Sequence, residues 1–180
     1  MVRLFVAIDL PTDIRERLKV PQEHLKKSTA RLNPVDPALI HITLKFIGEV
    51  PQDAIGKIIG VLSGVSFSPF DLRVTGIGSN NPRQPRVIWC TIEDGGGSAA
   101  LHAKVEDVLS TVGIARDDRP FRPHATIARV KQGDPTLPGW IRAIPPGDFG
   151  TCTVNRFRLK KSTLTPGGPI YETILEVPTS

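Results

Sequence analysis

A chain of 180 residues, 39% hydrophobic and 23% charged, is long enough to bury most of its apolar surface around one core or two small ones. Its 17 prolines and 16 glycines fall short of the roughly 25–30% that marks low-complexity disorder and predict many loops and sharply ended elements. Two cysteines exclude a disulfide-dense scaffold and any CxxC motif, while a net charge of +5 favours an anionic ligand without requiring one.

The opening MVRLFVAIDLP is too short an apolar run for a signal peptide, and no segment reaches the ~20 apolar residues of a membrane span. A soluble, cytoplasmic protein with no membrane partner is expected. Residues 2–10 alternate as a strand, with Leu4, Val6, Ile8 and Leu10 on one face and Phe5 and Ala7 on the other. Thr12 then opens a helix running to about Ser28, kinked at Pro21. A Pro-rich loop at 33–37 precedes a strand over 40–47. A second helix starts near Gln52 and is capped by Gly64, and a strand spans 67–77. The second half repeats this order. A strand covers 86–93, and a helix from Ser98 carries the stripe Leu101, Val105, Val108, Leu109 and Val112, ended by Gly113. Further strands are predicted over 123–130 and 151–159, with a weakly signalled helix at 134–143 between them. A turn-rich loop at 163–169 leads to a last strand over 171–177. Corresponding elements are offset by about 83–86 positions, which predicts one bilobal domain over 1–180, with pseudo-symmetric halves of about 1–80 and 84–180 facing each other across a cleft. Cys90 and Cys152 fall in strand-like stretches and read as buried, reduced thiols. The basic residues, among them Arg83, Arg86, Arg119, Arg122 and Arg129, are scattered, which excludes a basic tail and leaves a folded basic groove open.

The middle strand of each half contains the same word, His41-Ile42-Thr43-Leu44 and His124-Ala125-Thr126-Ile127. Residues i and i+2 of a strand share a face, so each word presents an imidazole beside a hydroxyl while its aliphatic residues enter the core. Two imidazoles with pKa near 6.5 supply a neutral base and a protonated acid, and two hydroxyls hold an anion between them. That set suits in-line displacement at phosphorus. No carboxylate cluster stands beside either histidine to hold magnesium, and zinc lacks its third and fourth ligands, so neither metal nor cofactor is expected. His24 and His102 fall on helices and read as exposed surface residues. Lys45, at i+4 from His41, shares its face in an unbulged strand. Arg129, at i+5 from His124, points away unless a bulge re-aims it. Phe5 either lines the cleft and stacks on a base or simply packs, and the only tyrosine, Tyr171, is likewise cleft-lining or structural.

These residues resemble the two-histidine phosphoesterase superfamily, and more closely its bacterial and archaeal RNA 2′,3′-cyclic phosphodiesterases, once called 2′–5′ RNA ligases. The resemblance covers nearly the whole chain, from Arg3-Leu4-Phe5-Val6-Ala7-Ile8-Asp9-Leu10-Pro11 through both signatures to Leu159–Glu172. It implies an α+β fold, bilobal and duplicated, with two antiparallel sheets flanked by helices around a central cleft. It also implies metal-independent hydrolysis of an RNA terminal 2′,3′-cyclic phosphate to a 2′-phosphomonoester by a monomer, with small cyclic nucleotides as further substrates. His41 would act as proton donor to the departing 3′ oxygen and His124 as acceptor of the water proton. Thr43 and Thr126 would hold the phosphate, with Lys45 and Arg129 as helpers. The alternatives are RNA end-joining through a 2′–5′ linkage by the reverse reaction, and a non-catalytic RNA- or nucleotide-binding module.

Overall fold

Strand-forming β-branched residues recur in short, turn-bounded runs, and the computed structural model, which describes residues 1–180, folds them into nine strands and five short helices. The strands are β1 (Val2–Asp9), β2 (Arg31–Pro34), β3 (His41–Val50), β4 (Phe70–Ser79), β5 (Val87–Glu93), β6 (His124–Gln132), β7 (Gly150–Val154), β8 (Arg156–Thr165) and β9 (Gly168–Pro178). The helices are α1 (Thr12–Arg17), α2 (Lys19–Leu25), α3 (Ile55–Ser63), α4 (Gly97–Ser110) and α5 (Leu137–Arg142). The single helix expected over 12–28 is broken at Leu18, one turn before the kink expected at Pro21. The Pro21 ring has no N–H to give the Arg17 carbonyl and crowds it, so the break falls there. Strand β2 occupies part of the stretch read as a loop, where Pro34 is tolerated because β2 is an edge strand. The run 151–159 is two strands parted at Asn155, and the expected loop at 163–169 is the tight tip of the β8–β9 hairpin, with Thr165 paired to Gly168.

All pairings are antiparallel and run β7-β4-β5-β6-β3-β1-β8-β9, with β2 added on β6. The fold is thus α+β with one continuous sheet, where two separate sheets were expected. Between the two four-stranded halves the strands pair only at Ile42 and Ala125, because β2 takes the free edge of β6 just beyond that point and wedges β3 and β6 apart. Each half-sheet draws on both halves of the chain: β4 lies beside β5, and β8 lies beside β1.

One cluster of 32 buried apolar residues unites both half-sheets with the helices, so the chain has a single core. Ile42, Leu44, Ala125 and Ile127 all enter it, as the alternation predicts. The N-terminus of α4 is set by Asp94, whose carboxylate accepts from the amides of Gly96 and Ser98 at 3.0 Å. Gly97 is obligatory there, since a Cβ would lie 2.3 Å from the Phe70 ring. No helix is long and apolar enough to cross a membrane.

Candidate active site

The sheet face opposite the helices carries a cleft of about 630 Å³, lined by His41, Thr43, His124, Thr126, Arg129, Phe5, Tyr171 and the β8–β9 hairpin tip. The antiparallel Ile42–Ala125 pair dictates its geometry. Extending that register by one residue either way sets His41 opposite Thr126 and Thr43 opposite His124. The two imidazoles therefore stand on a diagonal, where cross-strand neighbours are roughly 7–8 Å apart. That gap suits a tetrahedral anion.

Both imidazoles are held the same way. His41 Nδ1–H donates to the Leu39 carbonyl at 2.7 Å, and His124 Nδ1–H donates to the Arg122 carbonyl at 2.8 Å, each two residues back along the chain. Only a protonated Nδ1 can donate to a carbonyl, so Nε2 of each neutral ring is the free, basic nitrogen. His41 Nε2 lies 3.1 Å from Thr43 Oγ1. Burial pushes the pKa of His41 below its ordinary value, with Lys160 and Arg129 adding to the effect and the Leu39 bond and Asp9 opposing it. Phe5 packs against His41 at 5.0 Å between ring centres, and Tyr171 meets both at 4.9 and 5.5 Å. Burial raises the Tyr171 hydroxyl pKa, while the charge of Arg129 opposes it. Behind them Asp9, paired in register with His41, accepts from Lys160 at 2.5 Å and from Arg158. Burial alone would raise the Asp9 pKa, but these two cations hold it below the usual range.

A β-bulge in each middle strand decides which cations reach the cleft. In β3 the pairing with β1 skips Leu44, so Ala7 faces Thr43 while Val6 faces Lys45. In β6 the pairing with β5 skips Ile127, so Trp89 faces Thr126 while Ile88 faces Ala128. Each extra residue reverses the alternation beyond it. Arg129 is thereby turned into the cleft. Lys45 is turned out of it, correcting the placement that strict alternation gives. The Lys45 ammonium, 3% exposed as a residue, donates to the Ala115 carbonyl at 2.8 Å and Asp117 at 2.7 Å. Glu106 Oε1 lies 2.6 Å away, too oblique for a hydrogen bond and held by charge. Although burial opposes it, these two carboxylates raise the Lys45 pKa. His102, Glu106 and Asp117 form the group nearest to a metal-ligating set, and the Lys45 ammonium sits among their carboxylates in the place of a cation.

The carbonyl of the extra residue in each bulge accepts from a helix side chain, that of Ile127 in addition to the Val35 amide at 2.9 Å. His102 Nδ1–H of α4 donates to Leu44 O at 2.7 Å, and Gln22 Nε2 of α2 donates to Ile127 O at 2.9 Å and to Val35 O at 2.7 Å. His102 and His24 are therefore half-buried and bonded rather than exposed, His24 reaching the Trp140 carbonyl at 3.0 Å. One cleft residue and one residue that backs His124 escape sequence reasoning. Phe46, 57% exposed at the rim, holds the position in β3 that Arg129 holds in β6 and lies beneath the Arg3 guanidinium. Trp89 packs on His124 at 4.4 Å between ring centres; its signal was its register with the His-x-Thr strand.

A diagonal pair of tautomer-locked imidazoles with flanking threonines, in a cleft of an antiparallel α+β sheet, defines a two-histidine phosphoesterase. The family model described as LigT-like phosphoesterase matches residues 8–89 and 95–171, and the chain belongs to that family. An Archaeoglobus fulgidus protein named RNA 2′,3′-cyclic phosphodiesterase is 38% identical over 95% of this chain and 97% of its own length. One of the same name from Methanocaldococcus jannaschii is 35% identical over 97% and 99%. Among solved structures, E. coli LigT complexed with 3′-AMP superposes with a TM-score of 0.83 at 26% identity, covering 99% of this chain and 98% of that one.

Proposed function

We propose that this chain hydrolyses the 2′,3′-cyclic phosphate at the end of an RNA strand to a 2′-phosphomonoester, and that it does so without a metal ion, as a cytoplasmic monomer. The observation that carries the proposal is the matched Nδ1 lock, which leaves two Nε2 atoms facing one cleft from opposite strands. The names of the relatives, and the 3′-AMP held by E. coli LigT, support the same substrate class.

His124 Nε2 takes a proton from water as the water oxygen forms a bond to phosphorus. His41 Nε2–H gives its proton to the 3′ oxygen as the P–O3′ bond breaks, leaving a 3′-hydroxyl and a 2′-phosphate. Thr43 and Thr126 donate to the non-bridging oxygens, and Arg129 balances their charge. The lowered pKa makes a protonated His41 a stronger acid, and the arriving phosphate anion offsets the burial that keeps the ring neutral. Tyr171 and the exposed Phe46 offer faces for the base, while Phe5, buried against His41 and Tyr171, packs behind them. We read the recurrence of His-x-Thr word, bulge and carbonyl cap as an internal duplication forming two lobes, with β4 and β8 exchanged between them.

The test is an oligonucleotide ending in a 2′,3′-cyclic phosphate, assayed with and without EDTA, with the product phosphate position identified. Activity is expected to survive EDTA and to fall on the order of 10²–10⁴-fold in His41→Ala and in His124→Ala. Loss of activity with EDTA, or full activity in either variant, overturns the proposal. Ligation products in excess of hydrolysis would favour end-joining instead.

A further inference from the structure

Beyond the cleft, β6 continues to a second groove of about 610 Å³ whose lining contains no hydrophobic residue. Its cations are Arg83 and Arg86 from the β4–β5 loop and Lys131 from β6. None of the three makes a salt bridge, whereas all four cations on β8 are tied to carboxylates. The β4–β5 loop is pre-shaped rather than loose. Asn80 Oδ1 accepts from the amides of Arg86 and Val87 at 3.0 Å, and Asn81 Oδ1 accepts from those of Arg83 and Gln84 at 3.0 and 3.1 Å. The one acidic side chain there, Asp134, already accepts from Thr29, from the Thr136 hydroxyl and from two backbone amides. Three free cations against one occupied carboxylate leave the groove positive.

The groove is in line with the chemistry. The pairing with β2 skips Lys131, but Val130 packs on the core between two exposed neighbours, Arg129 and Lys131, so Lys131 follows Arg129 on the cleft side of β6. At about 3.3 Å per residue, Lys131 lies roughly 15–20 Å along the strand from the His124–Thr126 pair. A single nucleotide held at the imidazoles does not span that distance, but the upstream part of a longer strand does. The other groove adjoining the site, about 420 Å³ beside His102, sets two carboxylates, Asp117 and Asp118, among its two arginines, Arg119 and Arg122, and so is less positive.

We propose that Arg83, Arg86 and Lys131 form a subsite for the phosphodiesters upstream of the cyclic end, so that the protein distinguishes an RNA strand from a mononucleotide. This inference rests on the function proposed above, in that the cyclic end occupies the cleft. Its test compares a 2′,3′-cyclic mononucleotide with an oligoribonucleotide carrying the same terminal base and cyclic phosphate, for the wild type and for Arg83→Ala/Arg86→Ala/Lys131→Ala. The wild type is expected to favour the oligonucleotide in kcat/KM. The triple variant is expected to lose on the order of 10–100-fold on that substrate, since each exposed charge pairing is worth up to ~1 kcal/mol, and to stay within twofold on the mononucleotide. Its log KM against log salt should flatten by about 2, near 0.7 for each single-strand phosphate that is no longer neutralised. The unchanged mononucleotide rate also certifies that the variant is folded. Equal turnover of both substrates by the wild type, an oligonucleotide rate untouched in the triple variant, or a length-dependent loss in Arg119→Ala instead, overturns the subsite alone. A wild type inert on both substrates overturns the reading of the cleft itself.

Discussion

Replacing Lys45 with methionine separates two physical pictures of that residue. Strict strand alternation makes it a phosphate ligand, so its loss would raise KM and leave stability alone. The bulged strand makes it a buried cation, with a side chain 2% exposed, between Glu106 and Asp117. Glu106 is 6% exposed, and once the ammonium is gone its carboxylate is a buried charge with no counterion. Stranding one partner of such a pair costs about 3–5 kcal/mol. Asp117, 46% exposed, adds little because water already screens it. At ~2–4 °C per kcal/mol for a chain of this size, Lys45→Met is expected to lower Tm by roughly 6–20 °C. The assay is thermal unfolding followed by circular dichroism, with KM for a cyclic phosphate measured below the transition and expected within twofold of the wild type. Adding Glu106→Leu removes the orphaned charge and is expected to restore more than half of the loss, since a buried ion pair exchanged for apolar side chains is often neutral. A Tm within about 2 °C of the wild type, together with a KM raised tenfold or more, refutes the reasoning and returns Lys45 to the cleft.

Gln22→Leu leaves the Ile127 and Val35 carbonyls without their side-chain donor and is expected to cost about 1–3 kcal/mol, read in urea unfolding. Because that donor holds the bulge that aims Arg129, KM should rise as well. Trp89→Leu removes the surface on which His124 rests. At about 0.5–1.5 kcal/mol for an aromatic pair, kcat should fall roughly 2–10-fold, with Trp89→Phe restoring it. The lowered pKa of His41 means that the unfolded chain binds a proton more readily than the folded one. Its contribution to stability is present above about pH 6.5 and is lost as pH falls through the depressed folded value, at up to ~1.4 kcal/mol per pH unit. The difference between wild type and His41→Gln over pH 5–7.5 should show that slope, and a pH-independent difference would refute it. Burial raises the Cys90 pKa to about 12 and that of Cys152 to about 11. Ellman's reagent should therefore label Cys152 slowly and Cys90 only after unfolding.

Much of the site was legible because it follows from short-range alternation. His41 with Thr43, and His124 with Thr126, needed only a period of two, and the apolar residues between them reached the core as that period demands. Lys45 was misplaced, and Arg129 reached the cleft only by way of a bulge, because alternation fails where a strand takes up one extra residue. A bulge is stabilised by caps distant in sequence, such as His102 on Leu44 and Gln22 on Ile127, so no local pattern announces it. The split of 151–159 did leave a trace: Val154 and Phe157 are both apolar and both reach the core although three apart, which a strand buried on one face only does not allow. The partnership of β1 with β8 left none, because pairing across the full length of the chain is set by tertiary packing rather than by neighbours.

That partnership governs how the molecule is put together. The strand that completes the far flank of β1 follows it by more than 150 residues, where Phe5 meets Lys160. Closing so long a loop is entropically costly and slow. Tyr171, which braces Phe5 and His41, arrives later still. Fragments cut between the two His-x-Thr words would each carry an unsatisfied sheet margin and a lone imidazole, and neither would be an independent unit. The candidate site is thus complete only once the β8–β9 hairpin has joined β1 and brought Tyr171 against Phe5 and His41.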